Sequence, residues 1–241
     1  MTAQLISLCI DAIDMRAMAR FWAAALRWDV LDTGDEVGLT PTDGTRFGIL
    51  FEPVTTPKAG QNRIHLDLTT ASLDDQRESA AQLVELGAQY LDIGQRPEEG
   101  HLVLADPEGN EFCLIGPGSS FLAGCERLGA INCDGTRATG YFWSDALGWP
   151  LVWDQHEETA IRAPDGTGPL ITWSGPPLIA KQAKNRHHLD IEPVGVGQAA
   201  EVERLLALGA TRVDIGQGEV GWVVLADPDG NEFCVLRPRP A

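Results

Sequence analysis

The sequence predicts an α+β protein built from four βαβββ modules, and three observations carry that prediction. First, Leu102-Val-Leu-Ala-Asp-Pro-Glu-Gly-Asn-Glu-Phe-Cys-Leu-Ile115 returns almost letter for letter as Val223-Val-Leu-Ala-Asp-Pro-Asp-Gly-Asn-Glu-Phe-Cys-Val-Leu236, so the chain is doubled. Second, the hydrophobic period within each half runs strand, helix, then three strands, and does so twice. Third, Asp-Pro-x-Gly and Asp-Gly turns separate the strand runs, with proline presetting φ and glycine supplying positive φ. Curved mixed sheets with helices on their outer faces follow.

Taken in order, residues 5–10 form an apolar strand that ends at Asp11. Met18, Phe21, Trp22 and Ala25 recur at three- and four-residue spacing, the stripe of a helix over 15–28 that packs on a sheet. Short β-prone runs follow at 30–31, 37–39 and 47–51, with Pro41-Thr-Asp-Gly44 as the turn between the last two. Residues 53–61 are a linker by composition. Arg63-Ile-His-Leu-Asp-Leu-Thr69 then opens the second module. Its helix is capped by Ser72 or Asp74, lined by Leu73, Ala80, Leu83, Val84 and Leu86, and stopped by Gly87. Residues 90–93 and the repeated hairpin complete it.

The second half restarts the pattern: Phe142-Trp143 and Leu147-Gly-Trp149 repeat Phe21-Trp22 and Leu26-Arg-Trp28, and Asn185-Arg-His-His-Leu-Asp-Ile191 repeats Asn62-Arg-Ile-His-Leu-Asp-Leu68. The expected domains are 1–117 (modules 1–53 and 62–117) and 128–241 (modules 128–175 and 185–238), joined by 118–127.

Composition narrows the functional classes. Lys plus Arg number 18 against 35 Asp plus Glu, a formal charge of −17, which repels phosphate backbones and anionic membranes and argues against nucleic acid as a partner. The five cysteines are an odd set with no Cys-x-x-Cys pair, as expected of reduced thiols in a cytoplasm rather than a disulfide framework. No stretch approaches a membrane span, and the first residues lack a secretory pattern. A soluble cytoplasmic protein with no membrane partner is expected.

Alternation puts Arg63, His65 and Asp67 on one face of their strand, and Arg186, His188 and Asp190 on one face of its repeat. Two readings stand for this titratable face: the lining of a cavity, or an edge whose His and Asp are tied up in structural hydrogen bonds. In the closing hairpins Glu111 and Cys113, and likewise Glu232 and Cys234, share a face, while the Asn of Gly-Asn-Glu belongs to turn chemistry. No basic residue adjoins either cysteine in the chain to lower its pKa.

Together the Phe-Trp-x-x-x-Leu-x-Trp helix, the Asn-Arg-x-His-Leu-Asp strand and the Asp-Pro-x-Gly-Asn-x-Phe hairpin resemble the vicinal oxygen chelate superfamily of glyoxalase I, extradiol dioxygenases, fosfomycin-resistance and bleomycin-binding proteins. The resemblance covers nearly the whole chain. It implies two cup-shaped half-barrels of the glyoxalase/bleomycin resistance/dihydroxybiphenyl dioxygenase type, each formed by two modules. Whether a cup forms within one half or by exchange between halves stays open. It also implies that metal-using relatives take a ligand from the first and last strand of each module. Position by position, these fall on His65 and His188, on Cys113 and Cys234, near Ser7 and Ala130, and near Glu52 and Ser174.

Counted half by half, the first domain offers a weak metal set of His65, Glu52 and Cys113, and the second offers His188, Cys234 and little else. No cofactor is therefore expected, and a divalent metal is disfavoured. The leading expectation is a metal-independent binder of a small organic molecule, by sequestration of an antibiotic or metabolite, with the chain a monomer mimicking a dimer or a homodimer. The expected catalytic set is His65, Asp67, Arg63 and Glu111; the expected ligand-binding set is His188, Asp190, Arg186, Cys113, Cys234 and Glu232. The alternatives are a lyase or isomerase with His65 as general acid or base, a metal-dependent lyase or dioxygenase, and a non-catalytic scaffold.

Overall fold

The computed structural model describes residues 3–96 and 99–239. Module 1 comprises β1 (Ala3–Ala12), α1 (Met15–Leu26), β2 (Asp29–Asp32), β3 (Val37–Thr40) and β4 (Gly48–Pro53). Module 2 follows with β5 (Ile64–Thr69), α2 (Leu73–Glu85), β6 (Gln89–Tyr90), β7 (Leu102–Ala105) and β8 (Glu111–Ile115). Module 3 holds β9 (Leu128–Cys133), α3 (Arg137–Leu147), β10 (Leu151–Gln155), β11 (Glu158–Ile161) and β12 (Leu170–Trp173). Module 4 closes the chain with β13 (His187–Pro193), α4 (Gln198–Leu208), β14 (Thr211–Arg212), β15 (Val223–Ala226) and β16 (Glu232–Val235).

The strands form two open eight-stranded sheets, ordered β14-β15-β16-β13-β1-β4-β3-β2 and β10-β11-β12-β9-β5-β8-β7-β6. The cups therefore form by exchange. Module 1 pairs with module 4 through the antiparallel β1 and β13, and module 2 pairs with module 3 through β5 and β9. Within each module the first strand runs parallel to the last, β1 beside β4 and β13 beside β16. Neither half of the sequence makes a cup alone.

Alternation assigns the faces. Leu8 and Ile10 of β1, Leu66 and Leu68 of β5, and Leu189 and Ile191 of β13 are buried in one hydrophobic core with the helices. That core carries the aromatic stripes: Trp22 meets Phe112 edge-on at 5.2 Å, and Trp143 meets Phe233 at 4.9 Å. Each indole also donates to a hairpin aspartate, Trp22 to Asp106 and Trp143 to Asp227. The hairpin repeat is thus a clasp on the helix of another module. Asp106 further accepts the backbone and side-chain N–H of Asn110, and Gly109 takes φ of 87°, so the Asp, Gly and Asn letters are turn chemistry.

The first helix is as expected, with Met18, Phe21, Trp22 and Ala25 buried, Asp14 capping Ala17 N and Arg27 left-handed at the end. In α2 the expected stripe holds at Ala80 and Leu83 but not elsewhere. Leu73, Val84 and Leu86 are exposed, and the buried side is Gln76, Ser79, Ala80 and Leu83. Gln76 belongs there because its amide donates to the carbonyls of Gly100 and Leu114, and a buried polar group so satisfied carries little penalty.

Candidate functional site

Each sheet turns its other face away from the helices, and the titratable side chains lie there. In the cup of modules 1 and 4, strand register sets Cys9 opposite His188 and Ser7 opposite Asp190. Parallel pairing brings Glu52 beside Asp11 and Cys234 beside Asp190. Asp190 Oδ2 accepts from Cys9 Sγ at 3.0 Å and from Ser7 Oγ at 3.2 Å. His188 Nε2 lies 3.4 Å from Asp190 Oδ1, an ion-pair distance without hydrogen-bond alignment. His188 is 2% exposed, and among the described residues neither of its ring nitrogens has a hydrogen-bond partner.

The electrostatics of this cup are one-sided. One ligand atom from each of Cys9, Glu52, His188 and Asp190 falls within a common 4.8 Å, so a single imidazole faces two carboxylates and a thiol, with a second thiol, Cys234, against Asp190. Burial, then the charges of Asp190 and Glu52, push both thiols up. Burial raises the Glu52 carboxyl against the opposing pull of His188. Burial also works to raise Asp190, but His188 together with the hydrogen bonds from Cys9 and Ser7 outweighs it and holds this carboxyl below its ordinary value.

The cup of modules 2 and 3 repeats the plan with other letters. His65 faces Asn132 across the strands, and Cys113 lies beside Asp67. His65 Nε2 is 3.5 Å from Asp67 Oδ1, Asn132 donates its amide to Asp67 Oδ2 at 3.3 Å, and Ser174 donates to Asn132. The His65 side chain keeps 30% of its surface open. Burial pulls its pKa down, but Asp67, joined by the charges of Glu111 and Asp134, outweighs it, and the pKa ends above the ordinary histidine value. Burial and then Asp67 push the Cys113 thiol up. Here His65, Asp67 and Cys113 form a group of three possible cation donors.

The weak metal set drawn from the sequence is therefore corrected. Glu52 lies in the other cup, with His188, because β4 follows module 1 into its pairing with module 4. The half that seemed to offer only His188 and Cys234 gains Cys9 and Glu52 from across the chain. Cys9 went unnoticed although it shares a strand face with Ser7, two residues before it.

Four further residues expected in the sites are engaged at the strand ends. Arg63 donates Nε to Asp134 and Nη1 to the Asp229 carbonyl, each at 2.9 Å. Arg186 donates to the Thr56 carbonyl at 2.9 Å and to Glu108 at 3.0 Å. Glu111 accepts from Lys58 and the Asn62 backbone, and Glu232 accepts from Asn185 N and pairs with Lys181. Of the tryptophans, Trp22, Trp28, Trp143 and Trp173 are core, and only Trp222 is well exposed.

A family model described as a glyoxalase-like domain matches residues 7–115 and again 130–236. Among solved structures, the chain is similar to glyoxalase I from Zea mays, with 15% identity over 98% of this chain and 92% of that one, TM-score 0.65. It is also similar to a putative dioxygenase from Bacillus subtilis, with 14% identity over 100% of this chain and 86% of that one, TM-score 0.61. At such identities the likeness establishes the fold alone. No curated protein matches. With the two family matches covering most of its length, the chain belongs to the glyoxalase-like domain family, as a tandem member of the vicinal oxygen chelate superfamily.

Proposed function

We propose that the cup of modules 1 and 4 is a divalent-cation site acting on a small oxygen-bearing molecule, and that His188, Glu52, Asp190 and Cys9 are its cation-holding residues. The carrying observation is His188, buried in the midst of acidic donors with neither ring nitrogen hydrogen-bonded among the described residues. Imidazole, carboxylate and thiol suit a borderline transition metal such as zinc, and three or more such donors are what a protein site of this kind requires. A cation there supplies Lewis-acid polarisation of a substrate carbonyl or hydroxyl. The chain itself contributes the orientation of the donors: Ser7 fixes Asp190, and the β-ladder fixes His188 opposite Cys9.

The test is metal analysis of protein purified without chelator. About one transition metal per chain is expected, lost in His188→Ala and reduced in Glu52→Gln. Wild-type protein that takes up no zinc, cobalt or nickel on dialysis would refute the assignment.

A second reading rests on the other cup. His65, half-open and paired with Asp67 beside Asn132 and Cys113, supports metal-free binding of a small organic molecule, with sequestration or a lyase or isomerase step using His65 as acid or base as its outcomes. In this reading Arg63 and Glu111 position the strand ends. Saturable ligand binding that survives chelation and is lost in His65→Ala supports it; survival of binding in that variant would reject His65.

A further inference from the structure

Away from both cups, the two linkers that precede β5 and β13 enclose a cavity of about 390 Å³. It lies where the halves meet in pseudo-twofold fashion, since Asn62 and Arg63 line it from one half and Asn185 and Arg186 from the other. In a chain with 18 basic residues against 35 acidic ones, its wall gathers four cations, Arg63, Arg186, Lys181 and Lys184, each with one carboxylate partner, of which only Asp11 itself lines the cavity.

We propose that this central cleft binds a small doubly anionic metabolite, its two charged ends met by Arg63 and Arg186. Both guanidinium groups are anchored: Arg63 by Asp134 and the Asp229 carbonyl, Arg186 by Glu108 and the Thr56 carbonyl. Each spends two of its five N–H donors there, leaving three. Arg186 Nε is buried with no hydrogen-bond partner among the described residues, although burial of such a donor is costly without an acceptor. Lys184, anchored on Asp11, and Lys181, paired with Glu232, add further N–H donors to the wall. Preorganised, partly desolvated guanidinium groups recognise carboxylate and phosphate ends alike through paired N–H bonds.

Arg63 immediately precedes β5 and Arg186 immediately precedes β13, so a ligand bridging the arginines lies at the entry to both central strands.

Calorimetric titration of the full chain with pyrophosphate and with succinate tests the proposal and separates the two anion chemistries. Saturable one-to-one binding of either probe, weakening as salt rises, is expected, and the tighter probe identifies the end group. Arg186→Gln and the rim substitution Lys184→Gln, which leaves the buried guanidinium groups in place, should each weaken that binding by about tenfold or more. Absence of binding by both probes at millimolar concentration would overturn the proposal. So would affinity unchanged in Lys184→Gln and Arg186→Gln, which would mark an adventitious ion only.

Discussion

His187 offers the sharpest test of how the halves are joined. It is 1% exposed, and its Nδ1 meets the Ile64 carbonyl at 2.8 Å, where the start of β13 crosses the start of β5. The acceptor requires the proton on Nδ1, which leaves Nε2 a buried lone pair with no partner among the described residues. Protonation would place a charged N–H there with nothing to receive it. Burial accordingly lowers the pKa from 6.5 to about 4.

The sign follows from linkage. With the folded pKa below the unfolded one, the unfolded chain binds the extra proton between the two values, so the full contribution is present above about pH 6.5 and is lost as pH falls through about 4. The difference corresponds to about 3 kcal/mol at 1.36 kcal/mol per unit, undiscounted because the group is buried. His187→Ile places in the second half the residue type found at the matching position 64 of the first. At neutral pH the variant should lie within about 2 kcal/mol of the parent, losing one hydrogen bond and one orphaned acceptor together. The assay is urea unfolding at pH 7.5 and pH 4.5. The variant should lose about 2–3 kcal/mol less than the parent on acidification. Parallel losses in the two proteins would refute the reasoning and mean that His187 is not held neutral.

Two other outcomes follow from packing and burial. A Cβ on Gly140 in α3 would collide with the buried Thr159 side chain, its Cβ included, so Gly140→Ala should cost about 2–3 kcal/mol, read as a fall in melting temperature, and the cost of Gly140→Ala should be smaller in a Thr159→Gly background than in the parent; an equal cost in both would place the strain elsewhere. Burial raises the thiols of Cys9, Cys113, Cys133 and Cys234, while Cys125 is only half-buried. Timed alkylation with mass spectrometry should therefore label Cys125 first, and early labelling of Cys9 or Cys234 would contradict their burial.

Much of the fold was legible because strand alternation and the doubled hairpin are local signals. The buried side of β5 is Ile64, Leu66 and Leu68 as read, and the Phe-Trp stripes of α1 and α3 face the core. Helix α2 was misread because apolar letters at its ends, Leu73, Val84 and Leu86, need no burial, whereas Gln76 is buried by hydrogen bonds that sequence spacing does not show. At the sites, alternation gave the correct face for His65 and His188 but not the depth along the strand. Arg63 and Glu111 share that face yet end on Asp134 and Lys58. The grouping of Glu52 and Cys9 with His188 had no local signal, since it depends on pairing between strands at opposite ends of the chain.

That pairing orders events during synthesis. The sheet of modules 2 and 3 draws only on residues 64–173, a contiguous stretch, and all its strands are available once β12 has emerged. The other sheet brackets it in the chain, with β1 waiting for β13 across more than half the sequence. Contacts so distant are slow to close, and their unpaired edges invite association with other chains in the meantime. A ribosome translating this message therefore carries module 1, with the Cys9 and Glu52 half of its acidic cluster, as an incomplete sheet until the last module appears.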